Sequence, residues 1–271
     1  MVACEESART TVFGTRSHFL HVSLLAAFFL IAGVAWSVQE TFRGQHQERV
    51  VEQLRAQGAS AYFNYQEDAY GAFDPDSAPG YPRWWRDLTS AHFGVRVTEV
   101  SLLNASPGNE MLQLVSRLDD LRRLLADNSR RLTDGGLPYL ADLGELRELS
   151  LAHTAIKGPG LVHLQGLRHL KVLRLSSTEI DDRALFHLRS LSSMQILELA
   201  STRITGAGVR HLRCLRSLER LGLQNTLVDD DALATLARLH DLQQLDITQT
   251  QISPEGAAWL REQLPQCSVF Y

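Results

Sequence analysis

From residue 137 to 256, leucine and its aliphatic relatives recur at intervals that change within a 24-residue period and then begin again. Five units follow one another without a gap, starting at Leu137, Leu161, Leu185, Val209 and Leu233. Each reads L-x-x-L-x-x-L-x-x-L-x-x-L-x-L-x-x-T-x-I and closes on a short polar or glycine-containing run. Leu161, Leu164, Leu167 and Leu170 stand three apart, which keeps them on one side of a helix or tight turn. Leu173 and Leu175 then stand two apart, as in a short strand with one buried face. Leu149 and Leu151, Leu197 and Leu199, Leu221 and Leu223, and Leu245 and Ile247 do the same. A fixed period of this length predicts a solenoid in which each unit buries its apolar side against the next.

The polar positions of the repeat predict its turns. A threonine follows each strand at Thr154, Thr178, Thr202, Thr226 and Thr250, where its hydroxyl can satisfy backbone groups as the chain leaves the strand. An aliphatic residue returns two places later, at Ile156, Ile180, Ile204, Val228 and Ile252. Next come Asp181, Thr205, Asp229 and Ser253, all favoured helix N-caps, with Lys157 the exception. Pro254 fits the first turn of a helix. Each helix is therefore expected to start there and run into the following unit. A unit buries about seven aliphatic side chains at roughly 1.5–3 kcal/mol each, which offsets its ordering cost only when neighbours are present.

These residues make residues 137–256 resemble leucine-rich repeats of the bacterial kind that carry threonine where many relatives place asparagine. The resemblance implies an α/β leucine-rich repeat solenoid, with a short parallel sheet on a concave face and helices on a convex face. It implies a binding scaffold rather than an enzyme.

Outside the clean repeats the register fades at both ends. Leu112, Val115, Leu118, Leu121, Leu124 and Ala126 keep it, with one extra residue near Asn128–Arg131, and Val97, Val100 and Leu102 repeat the strand spacing. Val50, Val51 and Leu54 share one side of a helix expected to end at Gly58. Ala61–Tyr65 reads as an aromatic strand, and Glu67–Pro82 as a loop rich in glycine and proline. Trp84, Trp85, Leu88 and Phe93 mark an amphipathic helix whose rings would plug the end of the core; a ligand platform is the rival reading. The expected organisation is a polar tail over 1–17, a membrane segment over 18–38, a juxtamembrane helix and linker over 39–59, an N-terminal cap over 60–111, repeats over 112–256 and a C-terminal cap over 257–271. Leu260, Leu264, Cys267 and Val269 suit that last cap.

Residues 19–38 are apolar except for His21, Ser23 and Ser37, and about 20 such residues cross a bilayer as a single helix. Trp36 suits the interfacial belt. The alternative is a cleaved signal peptide with a core from Phe19 to Ile31 and small residues at Gly33 and Ala35. Arginines flank both sides of the segment, so charge does not orient it. An apolar anchor, a helix, an aromatic strand, a P-x-W-W segment and repeats in this order resemble a group of membrane-tethered bacterial leucine-rich repeat proteins.

Charge and candidate chemistry change this picture little. Formal net charge is −4, and residues 137–271 hold 14 Lys+Arg against 15 Asp+Glu, which gives no footprint for nucleic acid. Cys4, Cys214 and Cys267 are too scattered for a disulfide framework or a cysteine zinc site. Cys214, among Arg210, Arg213 and Arg216, lacks the partner residues of a catalytic thiol. His163, His187 and His211 recur at one repeat position and read as helix-surface residues rather than a metal ladder. Asp229–Asp231 and Asp181–Asp182 read as helix-start residues rather than a calcium site. No phosphate loop, serine elbow or kinase motif is present, so neither cofactor nor catalysis is expected.

The exposed strand positions are then the expected contact surface. Val172, Arg174, Ile196, Glu198, Arg220, Gln244 and Asp246 lie on it, with Val172 and Ile196 as an apolar spot beside Arg174 and Glu198. The rival reading of that spot is a solvated sheet on which Arg174 and Glu198 pair with each other. The expected function is a non-catalytic, membrane-tethered scaffold for an unknown protein partner. The alternatives are an adaptor within an enzyme complex, as in F-box-type leucine-rich repeat proteins, and a secreted or periplasmic binding protein if the N-terminal segment is cleaved.

Overall fold

A computed structural model describes the backbone of residues 10–66, 94–103, 105 and 107–271, with side chains from residue 31 onward within those ranges. It falls into two compact units, residues 1–46 with 80–95, and residues 47–79 with 96–271. The expected ring cluster of Trp84, Trp85, Leu88 and Phe93 lies outside the described residues, as do Cys4 and the side chains of residues 19–30.

The first element, α1, is a single helix over Thr10–Arg55, so the segment expected to be a separate juxtamembrane helix continues the preceding one without a break. It ends at Arg55, and the turn that follows closes on Gly58, whose φ of 85° suits glycine. Among the described residues no helix is long and apolar enough to cross a membrane.

The second unit is built on one nine-stranded sheet whose order follows the chain. Its strands are β1 Ser60–Phe63, β2 Val97–Ser101, β3 Arg123–Leu125, β4 Glu148–Ser150, β5 Val172–Arg174, β6 Ile196–Glu198, β7 Arg220–Gly222, β8 Gln244–Asp246 and β9 Ser268–Phe270. From β2 onward all neighbours are parallel, and the central leucines Leu124, Leu149, Leu173, Leu197, Leu221 and Leu245 stand opposite one another. The step from Leu124 to Leu149 is one residue longer than the others. Asn128 keeps the regular turn of the other repeats, with a φ of 62°, and the extra residue lies between it and the buried Leu132. β1 lies antiparallel on the outer edge of β2, which covers backbone groups that a parallel stack leaves open. Val50, Val51 and Leu54, at the end of α1, are at most 2% exposed. Gln47 accepts from Val97 N at 2.9 Å and donates to Asp120 Oδ2 at 3.2 Å.

The threonines of the repeat do what their position predicts. Thr154, Thr178, Thr202, Thr226 and Thr250 each donate to the carbonyl three residues back, at 2.6–2.7 Å. The residue before each threonine (His153, Ser177, Ser201, Asn225 and Gln249) has a φ of 55–58°. The chain thus turns through the left-handed region, and the hydroxyl pins the turn. Asp181, Thr205, Asp229 and Ser253 cap as expected, accepting from Arg183, Ala207, Asp231 and Gly256 N respectively. The segments they cap are shorter and tighter than the spacing suggested. Among the described residues Asn109–Val115, Asp182–Leu188 and Pro254–Gln263 reach about two turns of α-helix or more, and Asp134–Leu140 and Pro159–Leu164 are 3-10 helices. A spacing of three throughout is the natural period of that tighter helix.

A second, longer period runs through the caps. Asp134, Asp182 and Asp230, each 48 residues apart, reach forward into the next repeat. Asp134 accepts from Lys157, Gly158 and Gly160 N, Asp182 from Thr205 N and Oγ1, and Asp230 from Ser253 N. The Asp134 contacts explain why Lys157 need not cap its own segment. Opposite these aspartates stand Gly160, Gly208 and Gly256. A Cβ on Gly208 would collide with Asp182 Oδ1, and one on Gly256 would lie 2.7 Å from Asp230 Oδ1. In the alternate repeats the pairing reverses: Gly158, with a φ of 118°, leaves room for Ala184, whose Cβ would be 2.6 Å away. Large and small residues therefore interlock between successive repeats.

Candidate binding face

From β3 to β8 each strand buries its central residue and turns its first and third residues to the outer face of the sheet. Parallel register lines these residues into two columns. The first runs Glu99, Arg123, Glu148, Val172, Ile196, Arg220, Gln244, Ser268; the second runs Ser101, Leu125, Ser150, Arg174, Glu198, Gly222, Asp246, Phe270. All seven residues expected on the contact surface lie in these columns.

The N-terminal half closes on itself. Arg123 donates to Glu99 Oε2 at 2.7 Å and, through Nε, to Glu148 Oε2 at 2.9 Å, and Arg174 pairs with the other oxygen of Glu148. Two cations thus alternate with two carboxylates across four strands. Burial works against the Arg123 charge, yet its hydrogen bonds and attraction to Glu99 and Glu148 outweigh that and hold its pKa above the ordinary arginine value. The partner of Arg174 is Glu148, not the Glu198 that strand alternation also allowed. Glu99 and Arg123 were not among the sequence-derived candidates, because the extra residue near Asn128 hides their column from a strict 24-residue count.

Val172 and Ile196 stand opposite each other in the first column and are half-buried. They separate the paired half from an open one. Beyond them, a cleft of about 200 Å³ is lined by Glu198, Arg220, Gly222, Gln224, Asp246 and Phe270, among others. Asp246 Oδ1 accepts from Thr248 N at 3.0 Å and from Thr248 Oγ1 at 2.7 Å, which fixes its carboxylate. Burial raises the Glu198 carboxyl pKa above the usual carboxylate range; Arg220 and Arg174 pull it down and Asp246 pushes it further up. Arg220 and Gln244 are exposed at the rim.

A second, polar groove of about 520 Å³ follows the left-handed turns, between His153, Ser177, Ser201 and Asn225 on one side and Arg130, Glu179 and Arg203 on the other. Its charged walls are partly self-paired, through Arg203 and Glu179 at 3.3 Å. The histidines of successive repeats make local contacts: His187 Nδ1 lies 3.3 Å from Gln165 Nε2, and His211 packs edge-on to Phe186. Among the described residues no group of three or more His, Cys, Asp or Glu could hold a metal ion. Cys214 is exposed, and burial raises the Cys267 thiol.

Residues 166–188 match a family model described as a leucine rich repeat. A comparison with curated protein sequences finds no match. Among solved structures, internalin C2 of Listeria monocytogenes is 22% identical, over 64% of this chain and 80% of that one, with a TM-score of 0.49. A leucine-rich repeat protein of Leptospira interrogans is 21% identical, with a TM-score of 0.45; the match covers 59% of this chain and spans 45% of that protein's length. The ectodomain of a receptor kinase of Arabidopsis thaliana is 18% identical over 55% of this chain and 18% of that one, with a TM-score of 0.39.

Proposed function

The chain is a leucine-rich repeat protein, and from that premise we propose that it is a non-catalytic scaffold that binds another protein through the outer face of its sheet. One observation carries this reading: two columns of side chains, drawn from eight parallel strands, stand on a face that no other described element of the second unit covers. A surface of repeating columns presents contacts at about 5 Å intervals along one axis, which suits an extended segment or the edge of a folded partner. Val172 and Ile196 supply its apolar centre, with Arg174, Glu198, Arg220, Gln244 and Asp246 around them. The test is affinity capture by tagged full-length chain from its own cells, repeated with Val172→Ala and Ile196→Ala together. Loss of the captured partner is expected; unchanged recovery overturns the reading.

The same proposal includes a tether. The apolar run over residues 19–38 falls within α1, and Ile31, Val34, Trp36 and Val38 are 70%, 58%, 57% and 49% exposed. A helix that displays such residues on all sides is matched by lipid rather than by water. Membrane fractionation with N-terminal sequencing tests this. An intact N-terminus in the membrane pellet is the expected result, and a soluble protein beginning near Trp36 would replace the tether with secretion.

A further inference from the structure

We propose that the cleft over β6–β9 receives an arginine side chain from the partner, seated between Glu198 and Asp246. The inference rests on the binding face proposed above and names the chemistry of what that face recognises.

The paired half of the same sheet supplies the template. There, two acids two strands apart in one column, Glu99 and Glu148, are bridged by the cation between them, Arg123, which reaches both within 2.9 Å. In the second column Glu198 and Asp246 repeat that arrangement two strands apart, but the residue between them is Gly222. The acids are present and the bridging cation is missing. With no side chain at Gly222, the Glu198 carboxylate lies directly over it: a Cβ there would collide with Glu198 Oε2 and come to 3.0 Å from Gln224 Oε1.

Three of the acceptors lining the cleft lack donors in whole or in part. The Glu198 carboxylate makes no hydrogen bond or ion pair among the described residues, and Asp246 uses only Oδ1, on Thr248. Gln224 Oε1 is shut off from solvent and receives no hydrogen bond, an arrangement that costs free energy unless something donates to it. Arg220 lines the cleft from the first column and draws down the Glu198 pKa, but it stays outside ion-pair distance. Phe270, 51% exposed, lines the cleft from the last strand. Two carboxylates, one amide oxygen and an aromatic ring suit a guanidinium, which donates in several directions within one plane and stacks on rings. A compact ammonium fills fewer of these sites.

The test uses immobilised full-length chain and three acetylated peptides of one sequence, Gly-Ser-Gly-X-Gly-Ser-Gly, in which X is arginine, citrulline or glutamate. Citrulline keeps the shape of arginine and lacks its charge. The arginine peptide is expected to bind at least about tenfold more tightly than the citrulline peptide, and the glutamate peptide least. Glu198→Gln should bring arginine and citrulline level. Gly222→Arg, which fills the gap from within, should abolish the arginine preference while keeping the far-UV spectrum. Equal binding of the arginine and citrulline peptides to the unaltered chain overturns the proposal, as does an arginine preference that survives both variants. The two readings fail separately. A partner lost on Val172→Ala with Ile196→Ala, from a chain indifferent to arginine, removes the guanidinium site and leaves the scaffold.

Discussion

The sheet from β2 to β5 and the sheet from β6 to β9 share a backbone, a register and a core of fully buried leucines, yet their outer faces differ in how charge is balanced. In the first half Glu99, Arg123, Glu148 and Arg174 neutralise one another at contact distance. In the second, Glu198 and Asp246 have no cation between them, and an amide oxygen beside them is left unpaired. A repeat protein can hold its fold constant and vary the surface, because side chains that point outward from a strand do not enter the core. One half of the face is therefore built to be stable, and the other is left for something to complete.

Removing the cation that closes the first half gives the largest expected effect. Arg123→Ala leaves Glu99, whose side chain is 9% exposed, and Glu148 facing each other without compensation. A loss of about 2–3 kcal/mol in urea unfolding is expected, toward the range for breaking a buried pair. A loss under about 0.5 kcal/mol, as for an ordinary surface pair, would erase the contrast between the halves.

The scaffold beneath should behave alike in both. Gly160→Ala in the first half places a Cβ 2.8 Å from the Asp134 carbonyl oxygen, and Gly208→Ala in the second drives one into Asp182. Each should cost about 1–3 kcal/mol, the usual penalty for overpacking. Costs that differ by more than about 1.5 kcal/mol would show that the halves diverge in the interlock as well as on the face.

Two smaller changes act on the open half. Gly222→Arg supplies from within the cation that Arg123 supplies in the first half, and should raise stability by about 0.5 kcal/mol once the mobile end of Glu198 moves aside; a fall in melting temperature would break the analogy. Glu198→Gln removes a carboxylate that burial disfavours. Because the folded-state pKa of Glu198 is raised, the folded chain holds this proton more tightly than the unfolded chain. Its stabilising contribution is present below the unfolded-state value and is lost as pH rises through the folded one. The variant should therefore melt slightly higher than the parent at neutral pH, and the gain should vanish on acidification to below the ordinary carboxylate range. A gain that persists there, or none at neutral pH, would remove Glu198 as an uncompensated charge.

The periodicity of the chain made the core, the strands and their order legible without coordinates. A 24-residue repeat allows one stacking in which Leu149, Leu173, Leu197, Leu221 and Leu245 all face inward, and a one-residue slip would turn each of them to water. The threonine ladder and the caps at Asp181, Thr205, Asp229 and Ser253 were legible for the same reason, since each acts on backbone within three residues of itself. The 48-residue alternation of Asp134, Asp182 and Asp230 with Gly160, Gly208 and Gly256 was equally present in the letters. Its meaning was not, because each aspartate acts on the following repeat rather than on its own.

The sequence by itself determined what is local or periodic: the buried face of every strand, the turn that follows it and the count of repeats. The tertiary structure decided what depends on the reach and direction of long side chains between strands. Whether Arg174 turns to Glu148 or to Glu198 cannot follow from spacing, because both stand one strand away. The antiparallel cover of β1 on β2, and the cleft at Gly222, likewise arise only when distant segments meet. Apolar burial is set by which face a residue occupies, whereas charge pairing is set by individual atoms at ångström distances.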